Sequence, residues 1–248
     1  MNGVFDDLYE VAEECLSPIV QDPANRGRSW DQCYTFFQEY RNSNEKQRRE
    51  LACLHLGFYL ASWGMFRGSG LLIQKDYTIY GAIIDLLLRS DYQELWRPRF
   101  LKGLLMSKGA ISADDEQVGL VFDLAKQIRN YINELPIIRN HRSCRESANC
   151  TNTIVTKILL GTLVCTPAYD ANFPKGLTAR GVRRCGSFTR DCFTNLLNVC
   201  REERLWQALE RQPIERYGVV YPVMRVVDLY FWKKGFDESE KNRHGGNK

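Results

Sequence analysis

The chain is predicted to be all-α, a single helical domain of two lobes with a central cleft, and three observations carry that prediction. Apolar residues recur at three- and four-residue steps: Val118, Val121, Phe122, Ala125, Ile128 and Ile132, then Ile154, Val155, Ile158, Leu159 and Leu163, then Val223, Val226, Val227, Tyr230 and Phe231. That period belongs to helices burying one face. Start signals sit where the periodic stretches begin. Runs of alternating apolar and polar residues between hairpin turns are missing.

Taken in order, Ser29 stands ahead of an apolar pattern over residues 30–40, as an N-cap would. Ser112 precedes Asp114, Asp115 and Glu116, acids suited to the first turn of a helix over residues 114–134. An amphipathic helix follows from Ile154 to about Gly161, and Pro222 fits the first position of the last helix. The breaks between these stretches do not read as flexible interdomain linkers, and no internal repeat is present. The domain is therefore expected over residues 1–236, with the polar, glycine-containing residues 237–248 as a disordered tail.

Composition narrows the class. With 44% hydrophobic and 26% charged residues in 248, the chain can bury a sizeable core. No apolar run approaches the roughly 20 residues of a membrane span; the longest, from Ile154 to Cys165, contains Lys157. The first twenty residues carry Asp6, Asp7, Glu10, Glu13 and Glu14 where a secretion signal would be basic and then apolar. Nine cysteines without a C-x-x-C pair, with Cys15, Cys33 and Cys53 at apolar-face positions, read as reduced core residues. His55, His141 and His244 lie near no such pair, so no metal is expected. A cytoplasmic monomer that needs no cofactor follows.

The net charge of +4 is mild, but the cations cluster. Arg139, Arg142 and Arg145 form one group; Lys175, Arg180, Arg183, Arg184 and Arg190 form another, with no acid until Asp191. Such groups are either solvated surface or phosphate contacts.

Three segments depart from plain helical scaffold. In residues 60–72, Gly64, Gly68 and Gly70 accompany Trp63, Met65, Arg67 and Ser69. Glycines allow close backbone approach to a ligand, or simply a tight helix-to-helix corner. In residues 151–173 an apolar approach delivers Pro167, Ala168, Tyr169 and Asp170. Asp170 is either a functional carboxylate in a half-buried setting or a cap on the next helix. In residues 221–232, Arg225 and Asp228 stand three apart on an apolar helix and read as packing.

The order of these segments resembles the helix-hairpin-helix DNA glycosylases, over roughly residues 50–180. The stretch from Ile158 to Asn172 is similar to the adenine-excising branch at Pro167, Asp170 and Asn172, and residues 62–69 are similar to it at Ser62, Met65 and Ser69. The resemblance implies an enzyme that flips a nucleotide out of double-stranded DNA and hydrolyses its N-glycosidic bond, leaving an abasic site. Asp170 would stabilise positive charge on the sugar. Trp63, Met65, Arg67, Ser69, Tyr169 and Asn172 would line the pocket, with Trp63 and Tyr169 offering faces for stacking. Thr151, Asn152, Thr153, Lys175, Arg180 and Arg183 would bind the DNA backbone.

The chain departs from the family pattern in several places. Residues 147–152 replace the usual Pro-Gly-x-Gly hairpin. Asn152 occupies the position of the nucleophilic lysine of bifunctional members, so lyase activity is not expected. Trp63 stands where the adenine-excising branch has a glutamate, implying a different base. Cys185, Cys192 and Cys200 supply three of the four cysteines an iron–sulfur cluster needs, so none is expected. A diverged pocket is what the bacterial antiviral glycosylases acting on glucosylated hydroxymethylcytosine in phage DNA would show. The alternatives are a nucleoside glycosylase acting on a free modified nucleoside, and a non-enzymatic helical binding protein in which Asp170 only caps a helix.

Overall fold

Amphipathic faces decide which helices form and how they stack. The structure, a computed structural model, describes residues 3–41, 46–65, 74–97, 99–139, 142–144, 150–183 and 185–245. Its α-helices are α1 (Leu8–Gln21), α2 (Arg28–Tyr40), α3 (Lys46–Ser62), α4 (Tyr80–Leu87), α5 (Lys102–Leu105) and α6 (Glu116–Glu134). They continue as α7 (Asn152–Thr162), α8 (Phe173–Ala179), α9 (Arg190–Glu202), α10 (Leu205–Arg211) and α11 (Val223–Gly245). Two short antiparallel pairs interrupt the helices: β1 (Ile137–Arg139) with β2 (Arg142–Cys144), and β3 (Glu215–Arg216) with β4 (Val219–Val220). The fold is all-α, with one continuous apolar core running from Leu8 to Phe231. No helix among the described residues is long and apolar enough to cross a membrane.

α7 lies at the centre. Every residue from Ile154 to Thr162 is buried, so this helix is enclosed on all sides rather than facing water with one. α2, α3 and α6 pack around it. Trp30 of α2 donates its indole N–H to the Leu160 carbonyl at 2.9 Å. α8 and α11 meet almost backbone to backbone. A Cβ built on Gly176 would fall 1.8 Å from the Phe231 carbonyl oxygen, and one on Gly235 would fall 1.9 Å from that of Asn172. Only glycine fits either position.

The start signals are partly displaced. α6 is capped by Asp115, whose carboxylate accepts from the Gln117 N–H, while Ser112 accepts from Asp114 one turn earlier. Ser29 lies inside α2, buried, because the helix begins at Arg28. The expected disordered tail is corrected over residues 237–245, where α11 continues to Gly245. Charge pairs at helical spacing hold it there: Lys233 to Asp237 at 2.8 Å and Arg243 to Glu240 at 2.8 Å.

Candidate active site

Past α7 the chain leaves helical geometry without leaving the interior. Residues 163–169 are all buried, and Val164 adopts a left-handed φ of 51°, a costly conformation for a β-branched residue. Irregular buried backbone has to find hydrogen-bond partners outside the helix ladder. Here the side chains supply them. Ala168 N–H donates to Asp228 Oδ1 at 2.9 Å, and Tyr169 N–H donates to Thr156 Oγ1 at 2.9 Å. The Thr153 hydroxyl donates to the Tyr169 carbonyl at 2.9 Å. α7 and α11 thus grip the turn that presents Asp170.

Asp170 divides its oxygens between two tasks. Oδ1 accepts from the N–H groups of Asn172 (3.0 Å) and Phe173 (3.2 Å), which caps the entry into α8. Oδ2 faces Lys157 Nζ at 3.5 Å. The lysine side chain is 6% exposed and the aspartate 17%. Both line a cavity of about 300 Å³, at the lower end of small-molecule sites.

The cavity brings together residues distant in sequence. Tyr59 and Trp63 from the end of α3 form one wall, and Trp232 and Phe236 from α11 form another. Trp63 and Trp232 meet edge to face, with ring centres 6.3 Å apart. Lys157 Nζ lies 5.0 Å from the Trp63 ring centre, and the Arg26 guanidinium lies 5.2 Å from it. The Trp63 indole N–H is buried and has no hydrogen-bond partner among the described residues. An acceptor on a bound molecule would satisfy it.

Asp228 and Arg225 also line the cavity, joined at 2.8 Å. Burial raises the Asp228 carboxyl above its ordinary value, and the opposing pull of Arg225 and Lys157 only partly reverses this. Among the described residues no group of three or more histidine, cysteine or acidic side chains is placed to hold a metal ion.

The residues singled out from sequence are thus placed unequally. Trp63 and Asp170 share the cavity. Met65 is half-buried against the core, and Arg67 and Ser69 lie outside the described residues. Tyr169 is not on the cavity wall. It is buried, with its ring packed on Phe173 and Phe188 and its hydroxyl beside Cys192 Sγ, so it has no open face to stack on. Asn172 helps shape the cap of α8 and lies against Gly235.

The expected backbone-binding residues mostly have internal partners. Thr151 caps α7, accepting from Ile154 N–H, and Asn152 accepts from Arg129 at 2.6 Å. Lys175 donates to Ser239 at 3.0 Å. Arg180 holds the N-terminal segment through the Gly3 and Val4 carbonyls at 2.8–3.0 Å. Arg183 is exposed.

Lys157 is the cavity residue that the sequence marks most plainly. It is the one charged residue within the apolar run from Ile154 to Cys165, and a buried ammonium on such a helix needs a partner. Arg26 and Trp232 carry no comparable mark in the sequence. No family model matches the chain, and neither a curated protein nor a solved structure matches it.

Proposed function

We propose that the protein is a monofunctional DNA glycosylase that excises a modified base from double-stranded DNA by hydrolysis, leaving an abasic site. One observation carries the reading. Asp170 lines an aromatic-walled cavity of about 300 Å³, with Oδ2 facing Lys157, another lining residue, and Oδ1 held by two backbone N–H groups. Cleavage of an N-glycosidic bond develops positive charge on the sugar, and a fixed carboxylate stabilises that charge without reorganising. It can also orient the attacking water. Capping and catalysis are compatible here because they use different oxygens of one side chain.

The substrate we favour is a hypermodified cytosine, such as the glucosylated hydroxymethylcytosine of phage DNA. Trp63 stands where a glutamate serves adenine excision in the resembling branch, which argues for a base of another kind. The aromatic walls suit a flipped base, and the unpartnered Trp63 N–H offers it a donor. Asn152, at the position of the family's nucleophilic lysine, supports hydrolysis without strand cleavage. On this reading the enzyme acts as a cytoplasmic monomer and needs no cofactor.

A nucleoside glycosylase is the second reading, and the internal partners of Lys175 and Arg180 favour it, since they draw cations away from a DNA backbone. Incubation with phage DNAs of different base modification, scored for alkali-labile abasic sites, separates the two. The expected result is abasic sites in a modified DNA with wild type and none with Asp170→Asn. Release of base from free nucleosides, with every DNA left intact, would select the second reading. No release from either substrate would leave a binding protein in which Asp170 is only a cap.

A further inference from the structure

We infer that Lys157 is a second catalytic residue, the acid that protonates the departing base while Asp170 serves the sugar. The inference rests on the glycosylase reading above and starts from an imbalance in the cavity. Its other cations are closely paired or outlying, although the Arg225 Nε is itself without a partner among the described residues. Arg225 is bound to Asp228 at 2.8 Å and lies over Trp30. Lys233 is held by Glu14 at 2.9 Å and Asp237 at 2.8 Å. Arg26 is exposed, on a loop at the cavity's edge.

Lys157 differs in having no close carboxylate and in facing Asp170. It is buried, and its three N–H donors meet one acceptor among the described residues, Asp170 Oδ2 at 3.5 Å. The Trp63 ring, 5.0 Å away, balances its charge but accepts no ordinary hydrogen bond. A buried ammonium with donors to spare, on the wall of a cavity, is suited to an acceptor that arrives with a ligand.

Breaking the glycosidic bond leaves two charges to be met, positive on the sugar and negative on the base. Asp170 and Lys157 supply one counter-charge each. The C1′–N bond breaks with its electron pair on the base, and Lys157 Nζ passes a proton to the acceptor atom of that base. A water oxygen bonds to C1′ and loses its proton to Asp170 Oδ2. That proton returns to Lys157 across the contact between the two side chains, so both residues end in their starting states. The sum is substrate plus water giving an abasic sugar plus free base. No outside reagent is consumed.

Chemical rescue tests this. Phage DNA containing glucosylated hydroxymethylcytosine is treated under single-turnover conditions with wild type and with Lys157→Ala, and folding is checked by circular dichroism. Lys157→Ala should lose about a hundredfold in rate, the low end of general-acid contributions. Added methylammonium, which fits the space left and carries N–H donors, should restore about tenfold of that loss, on the same scale. Tetramethylammonium, with the same charge but no N–H, should restore nothing. Lys157→Met retains the apolar stem and supplies the unrescued baseline should the alanine variant unfold.

Wild-type excision combined with a loss under about threefold in Lys157→Met, by rate arithmetic, would overturn the inference and leave the glycosylase reading standing. Equal rescue by both cations, or by neither, would do the same, because the lysine would then act through charge or packing alone. Failure of wild type to release any base would overturn the reading and the inference together.

Discussion

Two aspartates line the same cavity, and their surroundings give them opposite characters. Asp170 lines the cavity at the end of an irregular turn, with one oxygen fixed by backbone N–H groups and the other facing Lys157. Asp228 sits on α11 with both oxygens engaged, one by Ala168 N–H and one by Arg225. On the proposed reading the first carboxylate turns its more loosely held oxygen to chemistry, and the second holds the turn that carries it. Residue type and cavity membership do not distinguish them. The closeness of the partners does: Arg225 meets Asp228 at 2.8 Å, whereas Lys157 stands 3.5 Å from Asp170.

The largest expected effect follows from that division. Asp170→Asn preserves shape and the capping acceptor but removes the charge facing the cavity. Single-turnover base release should fall about a thousandfold or more, several kcal/mol of activation energy. The thermal unfolding temperature should fall as well, because Lys157 loses its counter-charge in a buried setting, so the rate is read on protein shown by circular dichroism to be folded. A loss under about tenfold, on the same arithmetic, would mean that Asp170 is not the catalytic carboxylate and would break the comparison outright.

Asp228 should behave in reverse, with stability as the main readout. Asp228→Ala leaves the Arg225 guanidinium unpaired in the core and Ala168 N–H without an acceptor, a change that typically costs about 3–5 kcal/mol. Urea denaturation measures it, and a cost below about 1 kcal/mol, the worth of an exposed pair, would mean the turn does not depend on α11. Asp228→Asn keeps an acceptor for Ala168 and should cost less.

The pH dependence of that asparagine variant tests the balance between burial and Arg225. The Asp228 carboxyl is raised by burial, so the folded protein holds its proton more tightly than the unfolded chain does. Its contribution to stability is full below the unfolded carboxylate range and is lost as pH rises through the folded value. Asparagine mimics the protonated acid at every pH. The stability advantage of wild type over Asp228→Asn should therefore narrow as pH rises from acid through that range. An advantage that widens instead would show that Arg225 outweighs burial.

These contrasts also mark what was legible in the sequence. Periodicity shows the helices, since burying one face imposes a period that needs no tertiary knowledge. The all-round burial of α7 is visible only in part, as an apolar run broken by Lys157. Asp170 and Trp63 stand out because each ends a helix-to-loop passage in which few residue types fit. Arg225 and Asp228 read as packing and pair with each other in the core, but the grip of Asp228 on Ala168 spans 60 positions and leaves no local trace. The same limit explains Tyr169. A tyrosine beside a candidate catalytic aspartate looks available, and only the packing of Phe173 and Phe188 reveals that its ring is enclosed.

The smallest expected effects lie in the basic stretch, and they extend the distinction between closely and loosely held side chains to the cations. Arg180 reaches the Gly3 and Val4 carbonyls and lies 3.8 Å from Asp7, whereas Arg183 is exposed. Arg180→Ala should therefore lower stability by about 1–2 kcal/mol, since its charged hydrogen bonds are part-buried. It should leave the salt dependence of DNA binding almost unchanged. Arg183→Ala should show the opposite pattern. Stability should stay within about 0.5 kcal/mol, as for surface substitutions generally, while the slope of log affinity against log salt should fall by about one. Lys175→Ala should come between them, because its bond to Ser239 is exposed and readily exchanged for a phosphate. Denaturation and salt-titrated binding on the same three variants give both axes. If Arg180→Ala flattens the salt slope as much as Arg183→Ala does, internal hydrogen bonding does not keep a cation from the DNA, and occupancy no longer separates the two kinds of residue.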